Sequence, residues 1–134
     1  MPIINKKLTS KEISNIINSN IVQYYIVRSD IGMSVGKMCS QVAHGAQIFS
    51  MYLWKNNIDN LTNKWLNSGY AKIILKGKEK DFNKIKEELS VFVVIDAGLT
   101  DNITPGTETV LVTYPILKES SPKILKRLRL LNKE

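Results

Sequence analysis

Two short stretches concentrate the side chains able to do chemistry: VRSDIGMSVGKMCSQVAHGA (27–46) and DAGLTDNITPGTET (96–109). In the first, Lys37, Gln41 and His44 stand at i, i+4 and i+7, which places them on one face of a helix. Ser34 is suited to cap that helix, and Lys37 then falls in its first turn. Unpaired backbone N–H groups and the positive end of the helix dipole gather there, a setting for a phosphate or a developing oxyanion. His44 is the only histidine in the chain. It is either a working residue or a polar side chain on a solvated helix surface. Gly36, in the same turn, either lets backbone or ligand approach closely or is a tolerated helix-start glycine. The second stretch offers the Asp96 carboxylate and the Thr100 and Thr107 hydroxyls. Pro105-Gly106 signals a turn within it. A long loop after an apolar strand is often functional, although Asp101 and Asn102 also read as plain turn formers.

These side chains need a scaffold, and the chain alternates strand and helix patterns. QYYIVRSD (23–30), YAKIILKG (70–77), VFVVIDAG (91–98) and TVLVTYP (109–115) read as four strands rich in β-branched and aromatic residues. The third is nearly all apolar, which predicts burial on both faces. Helices are predicted from Ser34 to about Trp54, over NLTNKWLNS with Gly69 as a stop, over KDFNKIKEEL, and over the closing SSPKILKRLRLL. The expected fold is α/β: a three-layer α/β/α sandwich around a four-stranded mixed, mostly parallel sheet. The fourth strand follows a loop without a helix, so an antiparallel direction suits it.

Functional groups collect at the carboxyl ends of strands in such sheets. The first strand delivers Arg28 and Asp30 to that edge and the third delivers Asp96. On the helix after Ser34, Val35, Met38, Val42, Ala46, Phe49 and Leu53 form an apolar stripe expected to pack on the sheet. The polar stripe of Lys37, Gln41 and His44 would look away from it. Cys39, on the apolar side, reads as a packing residue. Ahead of the domain (22–134) lies an extension (1–21) with a short helix: Thr9 and Glu12 have capping-box spacing, and Ile13, Ile16 and Ile17 share a face. The other reading of this segment is a tail that folds on a partner.

Composition narrows the partners. With 134 residues and 43% hydrophobic content the chain suits one domain with one core. A single cysteine excludes an intramolecular disulfide and a cysteine-cluster metal site. The net charge of +7 favours an acidic partner, nucleic acid before anionic membrane. Apolar runs such as YYIV and VFVVI are too short to span a bilayer, and the N-terminus lacks the apolar core of a signal peptide, so a cytoplasmic location is expected.

Together the two stretches resemble the type 2 peptidyl-tRNA hydrolase family, the archaeal and eukaryotic kind. The first matches its R-x-D, M-x-x-G-K, Q and H pattern through Arg28, Asp30, Met33, Gly36, Lys37, Gln41 and His44. The second matches D-A-G-x-T and P-G-[ST]-x-T through Asp96, Ala97, Gly98, Thr100, Pro105, Gly106, Thr107 and Thr109, with one residue more than usual between Thr100 and Pro105. GYAKIILK and LRLL extend the likeness to about residues 22–131. The resemblance implies hydrolysis of the ester between a peptide and the 3′ end of tRNA, without a cofactor or metal, by a protein that is often a homodimer. A non-catalytic RNA- or protein-binding module on the same fold is the alternative.

For such a hydrolysis Lys37 would face the oxyanion or a terminal phosphate, and Asp96 would orient water or take its proton. His44 would be the other candidate base or a contact for the tRNA end, and Thr107 would hold water or ribose. Arg28, Asp30, Gly36, Gln41, Thr100 and Gly106 complete the implied substrate site. The basic KGKEK (76–80) with Lys118, Lys123, Lys126, Arg127 and Arg129 would hold tRNA phosphates. Trp54 and Trp65 would either stack a base or pack in a core or interface.

Overall fold

The computed structural model describes residues 7–98 and 103–132. Its centre is β1 (Ile21–Arg28), whose eight residues are all buried. They are buried because strands pair with β1 on both sides: β2 (Lys72–Gly77) in parallel and β4 (Glu108–Thr113) antiparallel. Alternate side chains then enter opposite layers. Val22, Tyr24 and Ile26 pack with Leu75, Leu111, Phe82, Ile85, Ile124 and Leu125. Phe82 and Ile85 come from α4 (Glu79–Glu88), and Ile124 and Leu125 from α5 (Lys123–Lys126). Tyr25 and Val27 join Val94, Val110 and Val112 on the other face, covered by α2 (Val35–Lys55). A third cluster of Ile21, Phe49 and Trp65 binds α3 (Asn60–Asn67) to α2 and the sheet. The three-layer α/β/α arrangement is as expected.

The sheet differs from expectation in two respects. It has five strands, because Ile116–Leu117 forms a short β5 against the start of β1; two residues carry no periodicity to read. The strand order is β2-β1-β4-β3, with β3 spanning Val91–Ile95. β4 turns back after the 96–107 loop and inserts between β1 and β3, antiparallel to both. β1, β2 and β3 therefore point the same way, yet only β1 and β2 pair in parallel, so the sheet is mixed but mostly antiparallel where mostly parallel was expected. Insertion of β4 also pushes β3 to the sheet edge. Its residues are mostly half-buried and Ile95 is 61% exposed, so the apolar run did not signal burial on both faces.

The predicted closing helix shortens to the single turn of α5; Leu130 beyond it bridges to Leu75 of β2. α1 (Ser10–Ile17) has the capping box read from Thr9 and Glu12, with both reciprocal hydrogen bonds formed. It touches the chain at Gly69, where an added Cβ would lie 2.8 Å from Ile16 Cγ1. Among the described residues no helix is long and apolar enough to cross a membrane.

Candidate active site

α2 begins at the sheet edge where β3 ends. Ser34, extended at φ −67° and ψ 163°, accepts the Lys37 N–H at 3.2 Å and starts the helix there. The first turn holds no acidic residue, so nothing within it neutralises the positive helix end. From this turn Lys37 reaches across to Asp96, the residue after β3, and its Nζ donates to Asp96 Oδ1 at 2.5 Å. Their side chains are 9% and 3% exposed. A charge pair so far out of water costs desolvation of both ions, which makes it weak evidence for stability and a better pointer to function.

Asp96 is held from several sides. Its Oδ2 accepts the Gly98 N–H at 3.0 Å. Its backbone N–H donates to Thr107 O and its carbonyl accepts from Gly106 N, both at 2.9 Å. These two bonds pinch the neck of the 96–107 loop, bringing Thr107 and Gly106 beside Asp96. Gly98 has φ +81°, and a Cβ there would meet Pro105 at 2.4 Å, so the Asp96 turn needs glycine on both counts. Thr107 Oγ1 donates to Thr104 O at 2.7 Å, leaving the hydroxyl oxygen able to accept. Thr100 lies outside the described residues.

The orientation of α2 corrects the expected stripe. Its buried residues are Gln41, Gly45 and Phe49, so the sheet-facing arc is rotated towards the polar side. Gln41, expected to look away from the sheet, is 3% exposed and accepts the Thr109 hydroxyl at 2.5 Å. Gly45 lets the helix sit low: a Cβ there would be 2.7 Å from Val112 Cγ2 and 3.3 Å from Tyr25 Cε2. Val35 becomes 72% exposed, and Cys39, expected to pack, is exposed as well. Met38, Val42, Ala46, Phe49 and Leu53 do pack as expected, but apolarity alone missed the two deepest positions, which hold a glycine and a glutamine. Gln41 and Thr109 thus tie α2 to β4 and set where Lys37 stands. Thr109 lay within the quoted motif, but no role followed from its type; full burial of a hydroxyl is visible only in the fold.

Arg28 and Asp30 stand at the same carboxyl edge as Asp96, as read from the sequence, but turn to the other layer. Along β1, Arg28 shares the face of Ile26, and its guanidinium lies 5.3 Å from the Phe82 ring of α4. Its Nε donates to Asp30 Oδ1 at 2.7 Å, and Asp30 Oδ2 accepts the first N–H of α4, from Glu79, at 3.1 Å. Burial pushes the Asp30 carboxyl upward, but the bonds from Arg28 and Glu79 and the Arg28 charge hold it below its ordinary value. The pair joins the end of β1 to α4 on the layer opposite Lys37. Gly36 faces open space: no described atom lies within 4 Å of an added Cβ, so the protein's own packing does not demand glycine there. His44 is exposed, two helical turns beyond Lys37, and its side chain hydrogen-bonds to none of the described residues. Trp65 is 3% exposed, in the core, whereas Trp54 is 87% exposed. No group of three potential metal ligands occurs among the described residues.

Comparison with known proteins gives a family match. Residues 21–131 match the model of the family described as peptidyl-tRNA hydrolase PTH2. A peptidyl-tRNA hydrolase of Thermococcus sibiricus is 36% identical over 114 residues, covering 81% of this chain and 95% of the relative. One from Staphylothermus marinus is 35% identical over 120 residues, covering 85% and 98%. A probable peptidyl-tRNA hydrolase 2 of Dictyostelium discoideum is 33% identical over 114 residues, covering 81% of this chain and 53% of the relative.

Proposed function

Because this chain belongs to the peptidyl-tRNA hydrolase PTH2 family, we propose that it hydrolyses the ester joining a peptide to the 3′ oxygen of tRNA. The observation that carries the mechanism is the buried Lys37–Asp96 pair at the sheet edge. Water adds to the ester carbonyl carbon, and one of its protons passes to Asp96. Negative charge grows on the carbonyl oxygen, where the Lys37 ammonium and the Val35 and Gly36 N–H groups at the positive start of α2 stabilise it. The C–O bond to the ribose then breaks, the departing 3′ oxygen takes the proton held by Asp96, and the peptide acid releases its own proton to water. The products are a peptide carboxylate and a tRNA with a free 3′ hydroxyl.

An isolated carboxylate is a weak base, and the low-dielectric setting of Asp96 suits it to orient and polarise water as the proton leaves. Thr107, pinned beside Asp96 by the loop neck, offers its hydroxyl oxygen to the water or the ribose. Gly36 leaves room for the substrate at the start of α2. Gln41 acts through the position of α2, and exposed His44 contacts the tRNA end. The family resemblance extends the reading to a cytoplasmic homodimer; light scattering on the purified protein tests the dimer.

The decisive experiment measures release of an N-blocked amino acid from its tRNA by the wild type, Lys37→Ala and Asp96→Ala. Cleavage by the wild type with loss in both variants is expected. A folded wild type that binds tRNA without cleaving it would favour the non-catalytic module. Equal cleavage by all three proteins would remove Lys37 and Asp96 from the reaction.

A further inference from the structure

The cations read from the sequence do not form one patch. Lys118 lies beside Asn20 at the start of β1, its N–H donating to Asn20 O at 2.7 Å, and so sits at the sheet edge opposite Asp96. Lys78 at the cap of α4, Lys80 and Lys84 within it and Arg127 after α5 do converge. With Asp81 and Leu128 they line a cleft of about 510 Å³. All four cations are exposed, and none forms an ion pair with the described residues. The one carboxylate, Asp81, is turned towards the helix start, where its Oδ2 accepts the Lys78 N–H at 2.8 Å.

The cleft is registered to the active site. Ser29 N–H donates to Gly77 O at 2.9 Å, and Asp30 accepts the Glu79 N–H, so the start of α4 is tied to the carboxyl end of β1. Asp96 stands at the same edge, beyond β3. From β2 to β3 is three strand spacings, about 14 Å within the sheet, and the path also crosses from the α4 layer over the sheet edge to the α2 layer. That is a span a few unpaired nucleotides cover.

We infer that this cleft holds the double-stranded stem of the tRNA by its phosphates while the unpaired 3′ end crosses the sheet edge to Lys37 and Asp96; the inference rests on the hydrolase reading. Unpaired surface cations are the groups that release counterions from a phosphate backbone. The lining contains no aromatic residue. It therefore lacks the stacking platform that single strands use, whereas a duplex is met through its shape and phosphates. Anionic membrane is the lesser match, since amphipathic anchoring needs apolar side chains beside the charges and Leu128 is the only one here.

The test uses two substrates carrying the same N-blocked aminoacyl ester: a full tRNA, and a short single-stranded 3′ fragment without a stem. The protein is compared with its quadruple variant Lys78→Ala, Lys80→Ala, Lys84→Ala, Arg127→Ala. For the tRNA, KM should rise about tenfold with kcat retained, and the dependence of log KM on log salt should flatten by about three. For the fragment, both constants should stay at the wild-type values, which also shows that the variant is folded. A wild type that cleaves both substrates, with a variant whose tRNA KM is unchanged, overturns the stem site alone. Equal KM increases on both substrates overturn it too. Loss of binding to anionic vesicles with an unchanged tRNA KM assigns the cleft to membrane instead. A wild type that cleaves neither substrate fails the hydrolase reading itself.

Discussion

Removing one member of the Lys37–Asp96 pair should expose how much its partner suffers. Lys37→Met keeps most of the side-chain volume and deletes the ammonium. Asp96, 3% exposed, then retains only the Gly98 N–H at 3.0 Å as a described donor. At 2.5 Å and an effective dielectric of about 20, the lost Coulomb attraction is roughly 7 kcal/mol. Relief of the Lys37 desolvation returns part of it, and single truncations of buried pairs cost about 3–5 kcal/mol. The low end of that range applies here, because the Gly98 bond persists and the neighbouring Ala97 and Gly106 are exposed. Lys37→Met should therefore lose about 3 kcal/mol in urea denaturation, near 10 °C in Tm for a chain of this size. Asp96→Asn should cost somewhat less, since the lysine stem can carry its ammonium outward to water. The double variant Lys37→Met, Asp96→Asn leaves no unpaired charge, so it should be at least about 2 kcal/mol more stable than the sum of the single losses implies. Hydrolysis should fall by about 10²–10³ in Lys37→Met and stay low in the double variant, separating catalysis from stability. Strict additivity, within about 0.5 kcal/mol, would refute a buried interacting pair in solution.

Four further outcomes follow from the same geometry. Gly45→Ala brings a methyl 2.7 Å from Val112 Cγ2, and it should destabilise by about 1–3 kcal/mol despite its better helix propensity, as a denaturant titration would read. Gln41→Ala strips the buried Thr109 hydroxyl of its 2.5 Å acceptor, leaving Val94 O at 3.3 Å. It should cost about 1–2 kcal/mol and lower kcat more than it raises KM, since α2 and Lys37 shift together. His44→Ala should raise KM for tRNA severalfold and leave both limbs of the pH profile of kcat in place; loss of a limb would make His44 the base. Asp30→Asn addresses a carboxyl held below its ordinary value of 3.8. A depressed folded pKa stabilises above the unfolded value, and that stability is lost as pH falls through the folded one. The variant should thus be less stable than wild type near neutrality, with the gap closing below about pH 4.

Type and spacing alone made much of this molecule legible. The capping box of α1, the Ser34 cap and the strand–helix alternation are local, governed by side chains a few residues apart. So Lys37 could be put in a first turn and Asp96 after a strand before any contact was known. The roles of Arg28, Asp30 and Gln41 were not legible in this way. Their layer depends on strand order and on helix rotation, which are decided by long-range packing. β4 inserts between β1 and β3, so β3 becomes an edge despite its apolar run. Gly45 allows α2 to descend onto Val112 and Tyr25, which turns Gln41 inward to Thr109 and leaves His44 in solvent. The sequence put Lys37 and Asp96 on 59-residue-separated elements. Their meeting at 2.5 Å required β3 to run alongside the direction of β1 and α2 to sit at the depth and rotation that Gly45, Gln41 and Thr109 set.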